Sequence, residues 1–274
     1  MWTSKKVILL VAMIVGQVVI TATGQEVTPQ QAKEKEDRQK AKEEEDRRKE
    51  LAHLRMQLLA YWELDGNADD STDHKRHLEV HPSNDQHWGP GLRGSQALEL
   101  FRDKGTSYAV RQGSHDDGEF DFHGAPFTIQ AWAKFKNLDH EQVIVEKVDK
   151  KGGWTLTKLP DQRIRFHAGP IYLSSDVAAL DTTKWHQFIV RRWSAGASHM
   201  VEVFLDKKQI ASQPLDAAAS IGATERPLLV GKRDAQVDKD LNRFIDDLAI
   251  WSRGLSEAER LRLWGNGQGI DILP

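Results

Sequence analysis

The chain has 274 residues, of which 39% are hydrophobic and 29% charged, and its formal net charge is −3 at pH 7. A balance this close to neutral argues against an obligate nucleic-acid binder, which normally has a basic face and a high pI. The sequence contains no cysteine, which excludes a disulfide-stapled scaffold, a cysteine zinc site and a cysteine nucleophile. The length allows one or two domains, and a single large β domain of roughly 200 residues also fits.

Residues 1–24 have the pattern of an export signal. Lys5 and Lys6 precede an apolar stretch that extends to Ala22, and small residues there favour cleavage before Gln25. The stretch of about 16 residues is shorter than the roughly 20 that span a bilayer comfortably. A cleaved signal peptide is the first interpretation, and an uncleaved signal-anchor is the alternative. Either way we expect the rest of the chain to be exported: secreted, periplasmic or anchored to the outer side of the cytoplasmic membrane.

Residues 25–56 are predicted to form a charged helical linker or stalk. Lys33 to Glu50 is charged at every position except Gln39 and Ala41, and five acidic residues stand four positions before a basic one. That orientation stabilises an isolated helix. No apolar seam runs through the segment, so a coiled coil is not predicted. A stalk that holds the domain off a membrane and a solvated, fraying linker both remain open. The local cancellation of charge argues against a basic anchor.

Residues 57–274 change to the pattern of a β domain. Apolar residues alternate from Phe127 to Phe135, which is the period of a half-buried strand. Val201 and Leu205 belong to a second alternating run that resumes after a short polar turn, which predicts a hairpin. Further short strands are predicted at residues 143–145, 154–156, 164–166 and 188–190. Many short strands indicate an antiparallel sandwich or barrel, and no glycine-rich phosphate loop precedes a helix.

One helix is predicted near the end of the chain. Ser256 and Glu259 have the spacing of a capping box. Ala258, Leu261 and Trp264 then share one face, and a glycine ends the helix. We expect this helix to seal one end of the sandwich, which is a structural role.

Six segments from about Tyr61 to Trp264 together resemble the laminin-G-like, concanavalin A-like lectin/glucanase family, in the family's order. The segments are YWELDGNADDSTDHKRH, WGPGLRGSQALEL, FTIQAWAKF, KWHQFIVRRW, VEVFLDKKQIAS and FIDDLAIWSRGLSEAERLRLW. The last is the most specific, whereas Lys207 replaces the glycine usual in the family's hairpin. The resemblance implies an all-β fold, an antiparallel two-sheet jelly-roll sandwich with a short C-terminal helix. The family contains sugar-binding and protein-binding modules and some glycosidases.

Catalysis is not predicted from the acidic residues. The glucanases with this fold carry a Glu-x-Asp-x-x-Glu strand, and the nearest string here is EFDFHG, in which Glu119 and Asp121 are followed by Gly124 instead of the third acid. A retaining glycosidase needs two carboxylates about 5–5.5 Å apart, and one acid of the pair has no candidate. We therefore expect that the chain is not an enzyme.

The resemblance also implies a structural calcium ion. In the family, the acid of the closing Ile-Asp strand often binds Ca²⁺ together with backbone carbonyls, which suits an ion that takes six to eight oxygens. Carried over to this chain, Asp246 is the side-chain ligand, Asp65 is the next candidate and Asp247 is a weaker third. The alternative is that one of these acids caps a turn or pairs with a nearby cation.

Four histidines form a loose group in a turn-rich segment, at His74, His77, His81 and His87. Their spacing is compatible with a transition-metal site on a helix. The turn-rich context favours a solvated loop instead.

Trp154, Tyr172 and Trp193 are the candidate ligand-binding residues, because flat aromatic faces with polar tips suit stacking against a sugar ring. The alternative for each is packing under a loop. The preferred function is an exported, non-catalytic module that binds a glycan or a glycosylated extracellular or envelope partner, with no nucleic acid. It would contact a membrane only through the N-terminal segment, if that segment is uncleaved. The other hypotheses are a glycoside hydrolase or lyase with an atypical acid arrangement, and a structural envelope protein that binds another protein.

Overall fold

The computed structural model describes residues 19–20, 26–83, 87–101, 107–111, 118, 120–196, 198–216, 218–233 and 240–273. The chain divides into two compact units, Met1–His53 and Leu54–Pro274. In the first unit, β1 (Val19–Ile20) pairs antiparallel with β2 (Glu26–Val27). The rest of the predicted export signal lies outside the described residues. Within the part of the chain that is described, no helix is long and apolar enough to cross a membrane.

The charged segment is helical, as predicted. Helix α1 (Pro29–Arg55) has 27 residues, which corresponds to a length of about 40 Å. Ion pairs between neighbouring turns follow its surface, such as Lys40 with Glu36 at 2.6 Å and Arg47 with Glu44 at 2.8 Å. Each such exposed pair stabilises the helix by only a few tenths of a kcal/mol. The predicted roles as a stalk or as a linker remain predictions.

The second unit consists mainly of antiparallel strands. Its strands are β3 (Leu58–Trp62), β4 (Glu79–His81), β5 (Trp88–Pro90), β6 (Gln96–Leu100), β7 (Tyr108–Val110), β8 (Phe127–Phe135), β9 (Gln142–Val148), β10 (Gly153–Lys158), β11 (Arg163–Ala168), β12 (Ile171–Val177), β13 (His186–Ala195), β14 (Ser198–Leu205), β15 (Lys208–Leu215), β16 (Leu229–Val230) and β17 (Arg243–Trp251). Helix α2 (Glu257–Trp264) follows the last strand.

The strands form two sheets that pack face to face. One has seven strands in the order β12-β11-β10-β9-β16-β7-β4, and the other has eight in the order β15-β14-β13-β8-β17-β6-β5, with β3 also paired to β17. This confirms the predicted all-β, antiparallel two-sheet sandwich. The strands and the hairpin predicted from alternation are present as β8 to β11 and β13 to β15.

The core lies between the two sheets, and its residues pair across neighbouring strands. In the seven-stranded sheet, one row of paired residues runs from β12 to β7 and contributes one buried side chain from each of these six strands. The row is Leu173, Phe166, Leu156, Val145, Val230 and Ala109. Because side chains alternate across a strand, four residues that adjoin this row point away from the core: Tyr172, His167, Thr155 and Glu146.

Helix α2 is where predicted but packs differently from the expectation. The capping box is present, since Ser256 accepts from the Glu259 amide at 3.3 Å and Glu259 accepts from the Ser256 amide at 2.8 Å. Leu261, however, is 43% exposed, and Leu263 is buried in its place. Trp264 stacks on Trp132 with the ring centres 5.3 Å apart. The residues on either side of Trp132 in β8 face the core, so Trp132 itself faces outward. The helix therefore covers the outer face of the eight-stranded sheet and does not seal one end of the sandwich.

Candidate functional site

The outer face of the seven-stranded sheet is polar. One registered row on this face runs through Tyr172, His167, Thr155 and Glu146 on four successive strands. Arg165 lies on the same face, two residues along β11 from His167. These side chains alternate with the core row, so the pleat of the sheet turns them outward.

A chain of ion pairs connects these strands. Glu141 accepts from Arg165 Nη2 at 2.7 Å and from Arg233 Nη1 at 2.9 Å. Arg233 also pairs with Glu146, Nε to Oε2, at 3.3 Å. The guanidinium of Arg233 therefore bridges the carboxylates of Glu141 and Glu146, and each group fixes its neighbours in place. We name Tyr172, Arg165, Glu141, Arg233 and Glu146 the polar strip.

Tyr172 is the exposed end of the polar strip. Its side chain is 62% exposed, which is unusual for a large aromatic residue in a strand. The Arg165 guanidinium lies 5.7 Å from the ring centre and donates to the hydroxyl at 3.3 Å, and the His167 ring lies edge-on at 5.7 Å. Burial, followed by the charges of Arg165 and Arg233, lowers the pKa of His167. A flat ring is therefore held open to solvent beside fixed hydrogen-bonding groups.

Of the three candidate ligand-binding residues, Trp154 and Trp193 do not lie beside Tyr172. Trp154 is completely buried in the core, and its indole donates to the Phe120 carbonyl at 2.8 Å. The next residue on β10, Thr155, belongs to the same registered row as Tyr172. Because side chains alternate along a strand, Trp154 faces the opposite side of the sheet from Tyr172. Trp193 lies on β13 in the other sheet and donates to Glu202 at 2.6 Å.

Sequence reasoning did not identify the ionic part of the polar strip. One signal was present in the alternation of Arg163, Arg165 and His167 with apolar residues along a single strand. That pattern places three basic side chains on one face. Glu141 and Arg233 are 92 positions apart in sequence, so only the folded sheet brings them together.

Of the three acids predicted to bind calcium, Asp246 and Asp247 are buried and Asp65 is half-buried. Asp246 Oδ2 accepts from the Leu92 amide at 2.8 Å, and Asp65 Oδ1 is buried without a hydrogen-bond partner. Burial, then the charge of Asp247 and more weakly that of Asp65, raise the pKa of Asp246 to about 8. Asp247 instead accepts from the Tyr61 hydroxyl at 2.7 Å and pairs with Arg93.

These contacts decide which of the predicted calcium ligands suit a cation. Asp246 and Asp65 fit, because an added positive charge would offset their mutual repulsion and satisfy the orphaned oxygen. Asp247 fits less well, because the guanidinium of Arg93 and the phenol of Tyr61 already occupy its oxygens. Over the described ranges, no three acidic, histidine or cysteine side chains are grouped to share a metal. Backbone carbonyls would have to complete the shell.

The EFDFHG string does not provide a catalytic acid within the described residues. Asp121 is buried and accepts from the Lys147 ammonium at 2.7 Å, which in turn donates to the Thr224 carbonyl at 2.8 Å. A carboxylate held in this way cannot reach a substrate on the surface. Glu119 lies outside the described residues.

The four histidines have separate surroundings. His77 Nδ1 lies 3.0 Å from Asp69, His81 stacks on Tyr108, and His87 is buried with Nε2 2.9 Å from the Pro82 carbonyl. In the described structure they do not converge on a common centre with acidic residues.

The architecture defines a class of protein, a two-sheet jelly-roll domain with a polar outer face. The profile of the concanavalin A-like lectin/glucanases superfamily matches residues 103–259, which is more than half of the chain. The chain belongs to this superfamily. A comparison with curated protein sequences gives no match.

Solved structures with the same fold include binding domains of toxins. The binding domain of Paraclostridial Mosquitocidal Protein 1 is 17% identical, with a TM-score of 0.62 over 78% of this chain and 53% of the other. The binding domain of botulinum neurotoxin DC in complex with SialylT is 13% identical, with a TM-score of 0.57 over 78% of this chain and 52% of that domain. This chain thus spans about half the length of these toxin domains.

A domain of a carbohydrate-active enzyme is also similar along nearly its full length. Domain 4 of AbnA, a GH43 extracellular arabinanase from Geobacillus stearothermophilus in complex with arabinotriose, is 12% identical, with a TM-score of 0.57 over 75% of this chain and 97% of that domain. Identities this low establish a common fold and nothing about the ligand.

Proposed function

We propose that the chain is an exported, non-catalytic binding module that takes a glycan on the outer face of its seven-stranded sheet. The observation that carries the proposal is the 62% exposed Tyr172 at the end of the polar strip. The apolar face of a sugar ring stacks on such an aromatic ring. The planar carboxylate of Glu141 and guanidinium of Arg165, already held in position by each other, supply acceptors and donors for the hydroxyls.

The structural neighbours support a binding role in general terms. The AbnA domain forms a complex with arabinotriose. The binding domain of botulinum neurotoxin DC forms one complex with SialylT and another with rat synaptotagmin II. The fold thus accommodates both glycan and protein partners in other proteins. Tyr172 and its neighbours favour the glycan for this chain, and a protein partner is the alternative outcome of the test.

The surroundings of the carboxylates argue against hydrolysis. Glu146 is 1% exposed and lies against the guanidinium of Arg233, so it cannot contact a glycosidic oxygen. A general acid must carry a proton, whereas a guanidinium partner keeps a carboxylate ionised. Hydrolysis of any bound glycan, lost on Glu141→Gln, would contradict the non-catalytic proposal.

Calcium is proposed as a structural ion at Asp246 and Asp65. At Asp246, where burial and the charges of Asp247 and Asp65 raise the pKa, the ion would favour the ionised carboxylate. These residues are not members of the polar strip. Calcium would therefore act on glycan binding through the stability of the fold.

The test measures binding of the full chain, in mild detergent, to a panel of immobilised glycans. We expect saturable binding to at least one glycan, weakened about tenfold, or 1.4 kcal/mol, by Tyr172→Ala. The matched control is Leu261→Ala, which removes a 43% exposed side chain from α2 on the other sheet and should leave affinity unchanged. A folded protein that binds none of the glycans would overturn the proposal and direct the search to a protein partner. Mass spectrometry of the native amino terminus tests the export signal separately.

A further inference from the structure

The charges inside the polar strip cancel. Two guanidiniums, Arg165 and Arg233, face two carboxylates, Glu141 and Glu146, and each carboxylate is in contact with at least one guanidinium. The side chains of these four residues are at most 18% exposed. The strip is therefore a source of oriented hydrogen bonds and carries no surplus charge of its own.

Lys232 places a positive charge beside the polar strip. It precedes Arg233 in the chain, and its ammonium lies 4.1 Å from the centre of the Tyr108 ring. Among the ion pairs of the described ranges, none includes Lys232. His81 stacks beside Tyr108 with the ring centres 5.0 Å apart, and the Glu79 carboxylate lies 3.9 Å from the His81 ring. An ammonium over an aromatic ring keeps its charge and remains available to an anion.

The two ends of this face are far apart. Tyr172 lies on β12 and Tyr108 on β7, five strands further across the seven-stranded sheet. At about 4.8 Å between neighbouring strands, the two positions are separated by about 24 Å. A single sugar cannot contact both, whereas an oligosaccharide of several residues can.

We infer that the glycan taken by this face is an anionic oligosaccharide, which stacks one sugar on Tyr172 and places a carboxylate or sulfate group at Lys232. The inference rests on the proposed function and adds to it the chemical class of the ligand.

The experiment compares two matched pairs of probes that differ only in charged groups. The pairs are oligogalacturonate with its methyl ester, and dextran sulfate with dextran. The full chain is compared with Lys232→Gln, and Lys207→Gln in the β14–β15 hairpin is the control for loss of an exposed lysine. We expect at least one acidic probe to bind about tenfold more tightly than its neutral form, as charge-assisted hydrogen bonds allow. Lys232→Gln should remove that preference, and Lys207→Gln should keep it.

Each contrary result has a different meaning. Equal affinity for acidic and neutral forms, with both weakened by Tyr172→Ala, overturns the anionic class and leaves the proposed glycan site intact. An acidic preference that Lys232→Gln does not reduce also overturns the inference. If polyglutamate binds as tightly as the acidic glycans and shows the same loss with Lys232→Gln, charge alone selects the ligand and the glycan class is wrong. If none of the four glycans binds and Tyr172→Ala changes nothing, the proposed function fails as well.

Discussion

The buried pair of Lys147 and Asp121 predicts a large loss of stability when only its cation is removed. The two side chains are 8% and 5% exposed, and the ammonium also donates to the Thr224 carbonyl. Lys147→Met would leave a buried carboxylate without its partner, and such a change typically costs about 3–5 kcal/mol. In urea, with a slope near 2–3 kcal/mol/M, this corresponds to a decrease in the midpoint of about 1–2.5 M.

The assay is urea unfolding of the full chain followed by tryptophan fluorescence. The matched control is Lys151→Met, because Lys151 pairs with Glu225 at 3.5 Å with both side chains more than 70% exposed, and such a pair contributes less than about 1 kcal/mol. Adding Asp121→Asn to Lys147→Met removes the stranded charge and should restore more than half of the loss. The reasoning is refuted if Lys147→Met costs no more than the control. It is also refuted if the second substitution restores nothing.

Three further predictions concern the site, the acidic cluster and a buried lysine. Tyr172→Ala should weaken glycan binding about tenfold, yet change the free energy of unfolding by less than about 0.5 kcal/mol because the ring is largely exposed. Calcium at 100 times its dissociation constant should stabilise the fold by about 2.7 kcal/mol, and Asp246→Asn should abolish this in a thermal melt. Lys158 is buried and its pKa is lowered to about 8. Since the unfolded chain keeps that proton up to its usual pKa, stability should rise between pH 8 and 10.5, and Lys158→Met should remove that part of the rise.

Each of these has a clear contrary result. Loss of stability together with loss of binding in Tyr172→Ala would show that the ring supports the fold. An identical melting temperature with calcium and with chelator would remove the metal from the acidic cluster. Equal urea midpoints at pH 8 and 10 in the parent chain would show that Lys158 keeps its proton in the folded state.

The fold could be predicted because its signals are local. The alternation from Phe127 to Phe135 is a property of nine adjacent residues, and it becomes the central strand β8. The capping box of Ser256 and Glu259 is likewise complete within four residues. Patterns of this kind follow from the period of the strand and the geometry of the helix terminus, and they need no knowledge of distant partners.

The candidate site could be predicted only in part, because it depends on which face each residue occupies. Trp154 and Tyr172 have the same chemical suitability for stacking, but the first points into the core and the second into solvent. One residue of displacement along a strand reverses the face, so the assignment needs the register between β10, β11 and β12. Leu261 and Leu263 of α2 differ in the same way, since the docking of the helix decides which leucine is buried.

The charged helix and the positions of most strands follow from spacing between near neighbours in the chain. The two-sheet class and the superfamily follow from the resemblance of six segments to a known family. Only the folded chain brings Glu141, Arg165 and Arg233 together on one face and pairs the buried Asp121 with Lys147. The same holds for the charges of Asp247 and Asp65, which act on the buried Asp246. The physical reason is that charge pairing and burial are set by distance in space. In this sandwich some neighbouring strands, such as β8 and β17, are far apart in sequence.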